Sequence, residues 1–245
     1  PVASRWATDE EILALCDVVR ANDGTTLEVI VQGCLDLFSD EEVEFLTQMS
    51  LRGGRPVNWN VLSVDSADPD RTWHQIRAGE AAAERGARII ALTMPILVPM
   101  NMNFHSFCAL NMLPGWGDVL SGPIEERMPR LRDPEVRRRL AAGAESTTGA
   151  LRRLIDFPNY VIGDTYPFDT LVDIVLADDL RTVVWPSATD NDEESWKLRA
   201  EVWEHPHVMI GGSDAGAHLD RMCGATFPTK WIGDCLRGRK LTTME

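Results

Sequence analysis

Asp214 and His218 stand four residues apart in the stretch GGSDAGAH, where every other residue is glycine, alanine or serine. The apolar run Val208–Ile210 precedes it, so the stretch reads as the exit of a buried strand into a loop of small residues. Small residues let a ligand or a metal approach the backbone closely. A carboxylate delivered there needs a proton, a cation or several donors. Three roles suit Asp214: metal ligand, general base toward a metal-bound water, or structural acceptor of local amide hydrogens. His218 either reaches the same pocket or packs under the loop.

Other polar residues fall at strand ends or within strands: Gln32, Thr93, Ser187, and the pair Asn58 and Asn60 in VNWNVLSV. The two asparagines share one facing, because side chains alternate along a strand. They either hold a substrate or satisfy each other and the backbone. His105 lies in the methionine-rich segment that contains Met100, Met102 and Met112, within reach of a barrel mouth in that layout. His205 and His207 come before the last strand, at its amino end, where a barrel uses residues for stability.

The elements that must position these residues alternate. Thr8 to Glu11 reads as a capping box ahead of Ile12, Leu15, Cys16 and Val19 at helical spacing. The chain breaks near Asn22-Asp23-Gly24, and Leu27–Val31 reads as a buried strand. Ser39 to Glu42 opens a second helix, which Gly53-Gly54 ends before the strand Val57–Val64. A helix over about 72–84 then stops at Gly86, and RIIALT, residues 88–93, is the next strand. A loop or cap with short helices is expected over about 94–130, since its apolar residues have no clean period and must pack on something. Helices are expected over 133–140, 168–177 and 192–203, and strands over 159–163, 182–185 and 208–210. Strand and helix in alternation predict parallel β/α architecture, either an open sheet or a barrel, with function at the carboxyl ends of the strands.

Composition narrows the function. The 245 residues carry 24 Lys+Arg against 38 Asp+Glu, a net charge of -14, which argues against nucleic acid or an anionic membrane as partner. The basic clusters Arg137–Arg139 and Arg237–Lys240 read as solvated helix faces or ends. No GxGxxG or GxxxxGK[ST] motif supports a dinucleotide or nucleoside triphosphate. Five scattered cysteines without a CxxC pair read as buried free thiols of a reducing, cytoplasmic setting. No apolar run is long enough for a membrane span.

GGSDAGAH followed by ATFPTKWIGDCLR resembles the last barrel unit of the amidohydrolase superfamily, and in particular its N-acyl-D-amino-acid deacylase branch. GRPVNWNVL, GARIIALTMP, LPGWGDVL, RDPEVRRRL and ADDLRTVVWPS resemble the same branch in the same order. The resemblance implies a (β/α)8 barrel, of which this chain is expected to be an incomplete C-terminal portion, units four to eight. It implies a single barrel domain over 1–245 with the insertion at about 94–130. It also implies one or two zinc ions, with Asp214 as metal-associated base and catalytic residue. In that role Asp214 takes a proton from the attacking water and passes it to the leaving amine. His218, Thr226 and Phe227 would help shape the substrate pocket, with Asn58, Asn60 and His105 as further substrate-contacting residues.

The chain departs from the family in two places. An HxH pair on a first strand is absent, and lies upstream of Pro1 if the chain begins near the fourth strand. The strand ends VNWNVL and IIALTMP carry no histidine. The expected activity is hydrolysis of the amide C–N bond of an N-acyl amino acid or a similar small substrate, in a chain that can form homo-oligomers. The alternative is a catalytically lapsed barrel homologue acting as a binding or assembly protein. The aromatic segment with Phe104, Phe107 and Trp116 reads either as an apolar lid for an acyl chain or as plain packing.

Overall fold

A computed structural model describes residues 6–97, 99–106, 108–157, 160, 168–186, 188, 190–213, 222 and 224–243. The chain divides into two compact units. The first comprises 1–96, 192–212 and 227–245; the second comprises 97–191 and 213–226.

In the first unit, helix α1 (Asp9–Arg20) begins where Thr8 Oγ1 accepts from the Glu11 amide at 3.2 Å. Helix α2 (Asp40–Gly53) has the full reciprocal cap. Ser39 Oγ accepts from the Glu42 amide at 3.2 Å, and Glu42 Oε2 accepts from the Ser39 amide at 3.0 Å. Gly54 ends this helix at φ +59°, a left-handed conformation that costs glycine least. Helix α3 (Pro69–Glu84) starts three residues before the expected start, because Asp68 caps it and Pro69 takes the first helical position, where a missing N–H costs nothing.

Strands β1 (Leu27–Val29), β2 (Val57–Asn60), β3 (Ile89–Thr93) and β4 (Val208–Ile210) form one sheet in chain order, every pair parallel. Val57 pairs with Leu27 on one side and Ile89 on the other, and Ala91 pairs with Val208. One face of the sheet, carrying Leu27, Val57, Trp59, Ile89 and Ala91, packs in a single cluster with Cys16 of α1, Leu46 and Met49 of α2, and Ile76 and Ala82 of α3. Val202, from the helix before β4, joins the same cluster. Helices α1, α2 and α3 and the helix before β4 therefore pack on one face. The opposite face carries Glu28, Asn58, Asn60, Leu92 and Met209, and Ile30 just past β1 is 65% exposed. Strands in chain order with helices on one side define a singly wound sheet, the arrangement of a barrel wall, whereas a doubly wound sheet reverses its order at a switch point. The structure thus bears out a mixed α/β fold with a small parallel sheet; the four strands do not close on themselves.

The second unit is helical among its described residues. It contains α4 (Trp116–Leu120), α5 (Ile124–Arg132), α6 (Pro134–Glu145) and α7 (Phe168–Ala177) around a separate core. Trp116 is its centre. The fully buried indole donates to Leu140 O at 2.9 Å, stacks on Phe157 at 5.8 Å, and meets Phe104 and Phe168 edge-on at 6.3 and 5.6 Å. Phe104 and Trp116 are therefore core residues of this unit, not surfaces offered to an acyl chain; Phe107 lies outside the described residues. The expected strand at 182–185 is a correction. Val184 makes an isolated antiparallel bridge to Met102, with N···O distances of 2.9 and 3.0 Å, and among the described residues no ladder extends from it. The expected strand at 159–163 lies outside the described residues except for Tyr160.

Helix α8 (Glu193–Trp203) returns the chain to the first unit. Its cap, Asp192, accepts from the Ser195 amide at 2.8 Å, from Ser195 Oγ at 2.6 Å and from Ser66 Oγ at 2.9 Å. The Ser195 hydroxyl leads these donors in pulling the Asp192 carboxyl down to about 2. An unfolded aspartate titrates near 3.9, so the cap's contribution is fully present above about pH 4 and fades as pH falls through about 2. Asp192→Ala is expected to cost about 1 kcal/mol at neutral pH. Urea melts at pH 7 and pH 2.5 should show that penalty shrinking in acid; an equal penalty at both would show that the carboxylate is not the cap.

The chain closes in α9 (Phe227–Lys230), which continues as a π-helical stretch, Trp231–Gly238.

Candidate functional site

The carboxyl ends of β2, β3 and β4 are tied together by the backbone and one threonine. Thr93 Oγ1 donates to Leu62 O at 2.9 Å, the Leu62 amide donates to Leu92 O at 2.9 Å, and the Gly211 amide donates to Thr93 O at 2.9 Å. Thr93 is 2% exposed and committed to this bond, so it positions strands and is not a ligand group. Gly211 and Gly212 then carry the chain out of β4. A Cβ on Gly211 would lie 3.2 Å from Leu92 Cδ1, and Gly212 sits at φ +89°, which side-chain-bearing residues avoid. This explains two glycines ahead of Ser213 and Asp214. Asp214 and His218 themselves lie outside the described residues.

On the opposite face of the sheet, Asn60 Nδ2 donates to Glu28 Oε1, and Glu28 stands in register with Asn58. The two asparagines thus share a face, as their spacing requires, but they do not bond to each other. Asn60 faces its carboxylate neighbour. Asn58 instead lines a cavity of about 300 Å³ at the amino ends of the strands, with Thr26, Arg55, Arg88, Ile90 and Met209. Glu28 was missed in the sequence because Leu27–Val31 reads as a uniformly buried strand. Its alternation with Leu27 and Val29, one buried and one half-buried, was the available signal.

The remaining candidates belong to the second unit. His105 is half-buried; its amide donates to Asn103 Oδ1 at 3.0 Å and its carbonyl accepts from Arg127 Nη1 at 2.9 Å. Thr226 is exposed, one residue before α9.

The expectation of zinc is overturned. Among the described residues, no group of three or more His, Cys, Asp or Glu side chains could hold a metal ion. Two of the described histidines are engaged elsewhere. His74 Nε2 lies 3.1 Å from Phe38 O on the helix side, and His205 Nε2 lies 3.3 Å from Glu80 Oε1. His205 Nδ1 accepts from the His207 amide at 3.3 Å. The ring therefore carries its proton on Nε2 when neutral, which points the only lone pair at a backbone donor.

Cysteine chemistry is equally remote. Cys16, Cys34, Cys108 and Cys235 are free and buried, as the sequence predicts, and Cys223 lies outside the described residues. Burial pushes the Cys108 thiol up to about 12, and Cys34 and Cys235 up to about 11, so little thiolate exists at neutral pH. No helix among the described residues is long and apolar enough to cross a membrane.

No protein-family profile, curated protein or solved structure matches the chain.

Proposed function

We propose that the first unit is a run of consecutive strands from a (β/α)8 barrel of the amidohydrolase type. In this reading the protein hydrolyses the amide C–N bond of an N-acyl amino acid or a related small substrate. The observation that supports it most is the singly wound order of β1 to β4, with Gly211–Ser213 leading from the carboxyl end of β4 toward Asp214 in the chain. Further strands of the barrel cover the face that holds Glu28, Asn58 and Asn60.

Asp214 acts as the base. Water adds to the amide carbonyl carbon while Asp214 takes its proton, giving a tetrahedral intermediate. Collapse of that intermediate breaks the C–N bond, and Asp214 returns the proton to the departing amine. The products are a carboxylic acid and a free amino acid. His218 and Thr226 follow Asp214 closely in the chain and contact the substrate in this reading.

The second reading is a lapsed barrel homologue that binds such a molecule without cleaving it. The amides at positions 58 and 60, where histidines are expected, favour it. A panel of N-acyl-D- and N-acyl-L-amino acids separates the two by release of free amino acid and by ligand-induced thermal shift. Release supports the hydrolase. A shift without release supports the binding protein, and neither effect on any member of the panel overturns both.

A further inference from the structure

The second unit holds a cavity of about 580 Å³ between α6 and the start of α7, lined by none of the site candidates above. Arg132, Arg137 and Arg138 line it, together with Asp169 and Asp173. Read as sequence, the arginine run is a solvated helix face. The geometry divides it differently.

Arg137 is fully occupied. Its Nε donates to Leu131 O at 2.7 Å, one terminal nitrogen lies 2.5 Å from Asp173 Oδ1, and the other lies 3.5 Å from Asp169 Oδ1. Asp169 and Asp173, the only acids among the lining residues, are thereby committed to Arg137. Arg132, at the end of α5, and Arg138, on α6, make no hydrogen bond or ion pair among the described residues. Two positive charges face the cavity uncompensated, in a chain whose net charge is -14. The rest of the lining is apolar: Pro134, Ala141 and the half-buried ring of Phe168.

We propose that this cavity binds a small phosphate monoester, with its head between Arg132 and Arg138 and its apolar body over Phe168, Pro134 and Ala141. A phosphate carries close to two negative charges at neutral pH and three acceptor oxygens, which match two free guanidinium forks. A carboxylate brings only one charge. Arg137 is the positioning residue: by holding both aspartates it stops them from neutralising the other two arginines. The site is independent of amide hydrolysis.

Calorimetric titration of the protein with phenyl phosphate, inorganic phosphate and phenylacetate tests the proposal. Phenyl phosphate is expected to bind saturably and more tightly than either of the others, because only it offers both the dianion and the ring. Arg132→Ala and Arg138→Ala should each weaken it about tenfold, the loss of one charge-assisted contact. Arg139→Ala, outside the cavity lining, should leave it unchanged. Both arginines under test are exposed, so unaltered melting of the variants checks that folding is not the cause. Equal weakening by Arg139→Ala would show diffuse attraction and overturn the site. No saturable binding, or phenylacetate binding as tightly as phenyl phosphate, would overturn it as well.

Discussion

Trp116→Ala is expected to unfold the second unit, at a cost of about 3–5 kcal/mol. The indole is fully buried and lies against three aromatic rings, Phe104, Phe157 and Phe168. Removing it opens a cavity that those rings cannot fill without leaving their own contacts, and it forfeits the bond to Leu140 O. A loss of that size is comparable to the whole stability of many domains. Trp116→Phe separates the two terms. It keeps most of the packing and forfeits the Leu140 bond, so about 1 kcal/mol of the loss should come from the hydrogen bond. Amide exchange over 97–157 reads the result directly, because protection there reports opening of this unit. If Trp116→Ala leaves exchange over that segment unchanged, the aromatic cluster is not the unit's core.

Gly143→Ala is expected to be the second largest loss. A Cβ at this position would lie 2.0 Å from Pro114 O and 3.1 Å from Pro114 C. Both are backbone atoms, so no side-chain rotation relieves the clash. Alanine gains up to about 1 kcal/mol over glycine in a helix interior. Overpacking against a fixed neighbour costs about 1–3 kcal/mol, and occasionally more. The clash wins, and a net loss of about 2 kcal/mol is expected in urea titration. Stabilisation by Gly143→Ala would mean that α6 does not approach Pro114 this closely.

These two residues mark the boundary of what the sequence reveals. Local signals are legible: Ser39 with Glu42, Asp192 ahead of α8, Phe168–Ala177 as a helix and Val208–Ile210 as a strand all stand where their residue types place them. Those features depend on a few neighbouring residues and on intrinsic backbone preference. Gly143 and Gly79 do not. A Cβ on Gly79 would meet His207 Cβ at 2.8 Å and Ile89 O at 2.9 Å, contacts across more than a hundred residues in the first case. In sequence, both look like weak points in a helix pattern. Thr182–Trp185 fails for a related reason. Its β-branched residues favour extension, but a strand needs a ladder, and among the described residues Val184 makes an isolated bridge, to Met102.

The candidate site is legible in the same uneven way. That β4 ends in a glycine pair is readable, and so is the shared face of Asn58 and Asn60. That Asn60 turns to Glu28 while Asn58 faces the amino-end cavity depends on register between strands, which no single segment encodes. The zinc expectation rests on the resemblance, and among the described residues no cluster of ligands supports it: His74 meets a backbone carbonyl, and His205 meets Glu80 and the His207 amide.

The most direct measurement is release of free amino acid from the best substrate of the N-acyl panel by the protein and by its Asp214→Asn variant. Asparagine keeps the shape of the side chain and removes its ability to accept the proton from water. The predicted result is a rate lower by about 10²–10⁴ in the variant, with the unfolding curve unchanged. Equal rates in the two proteins would contradict the account, since the base would then lie elsewhere.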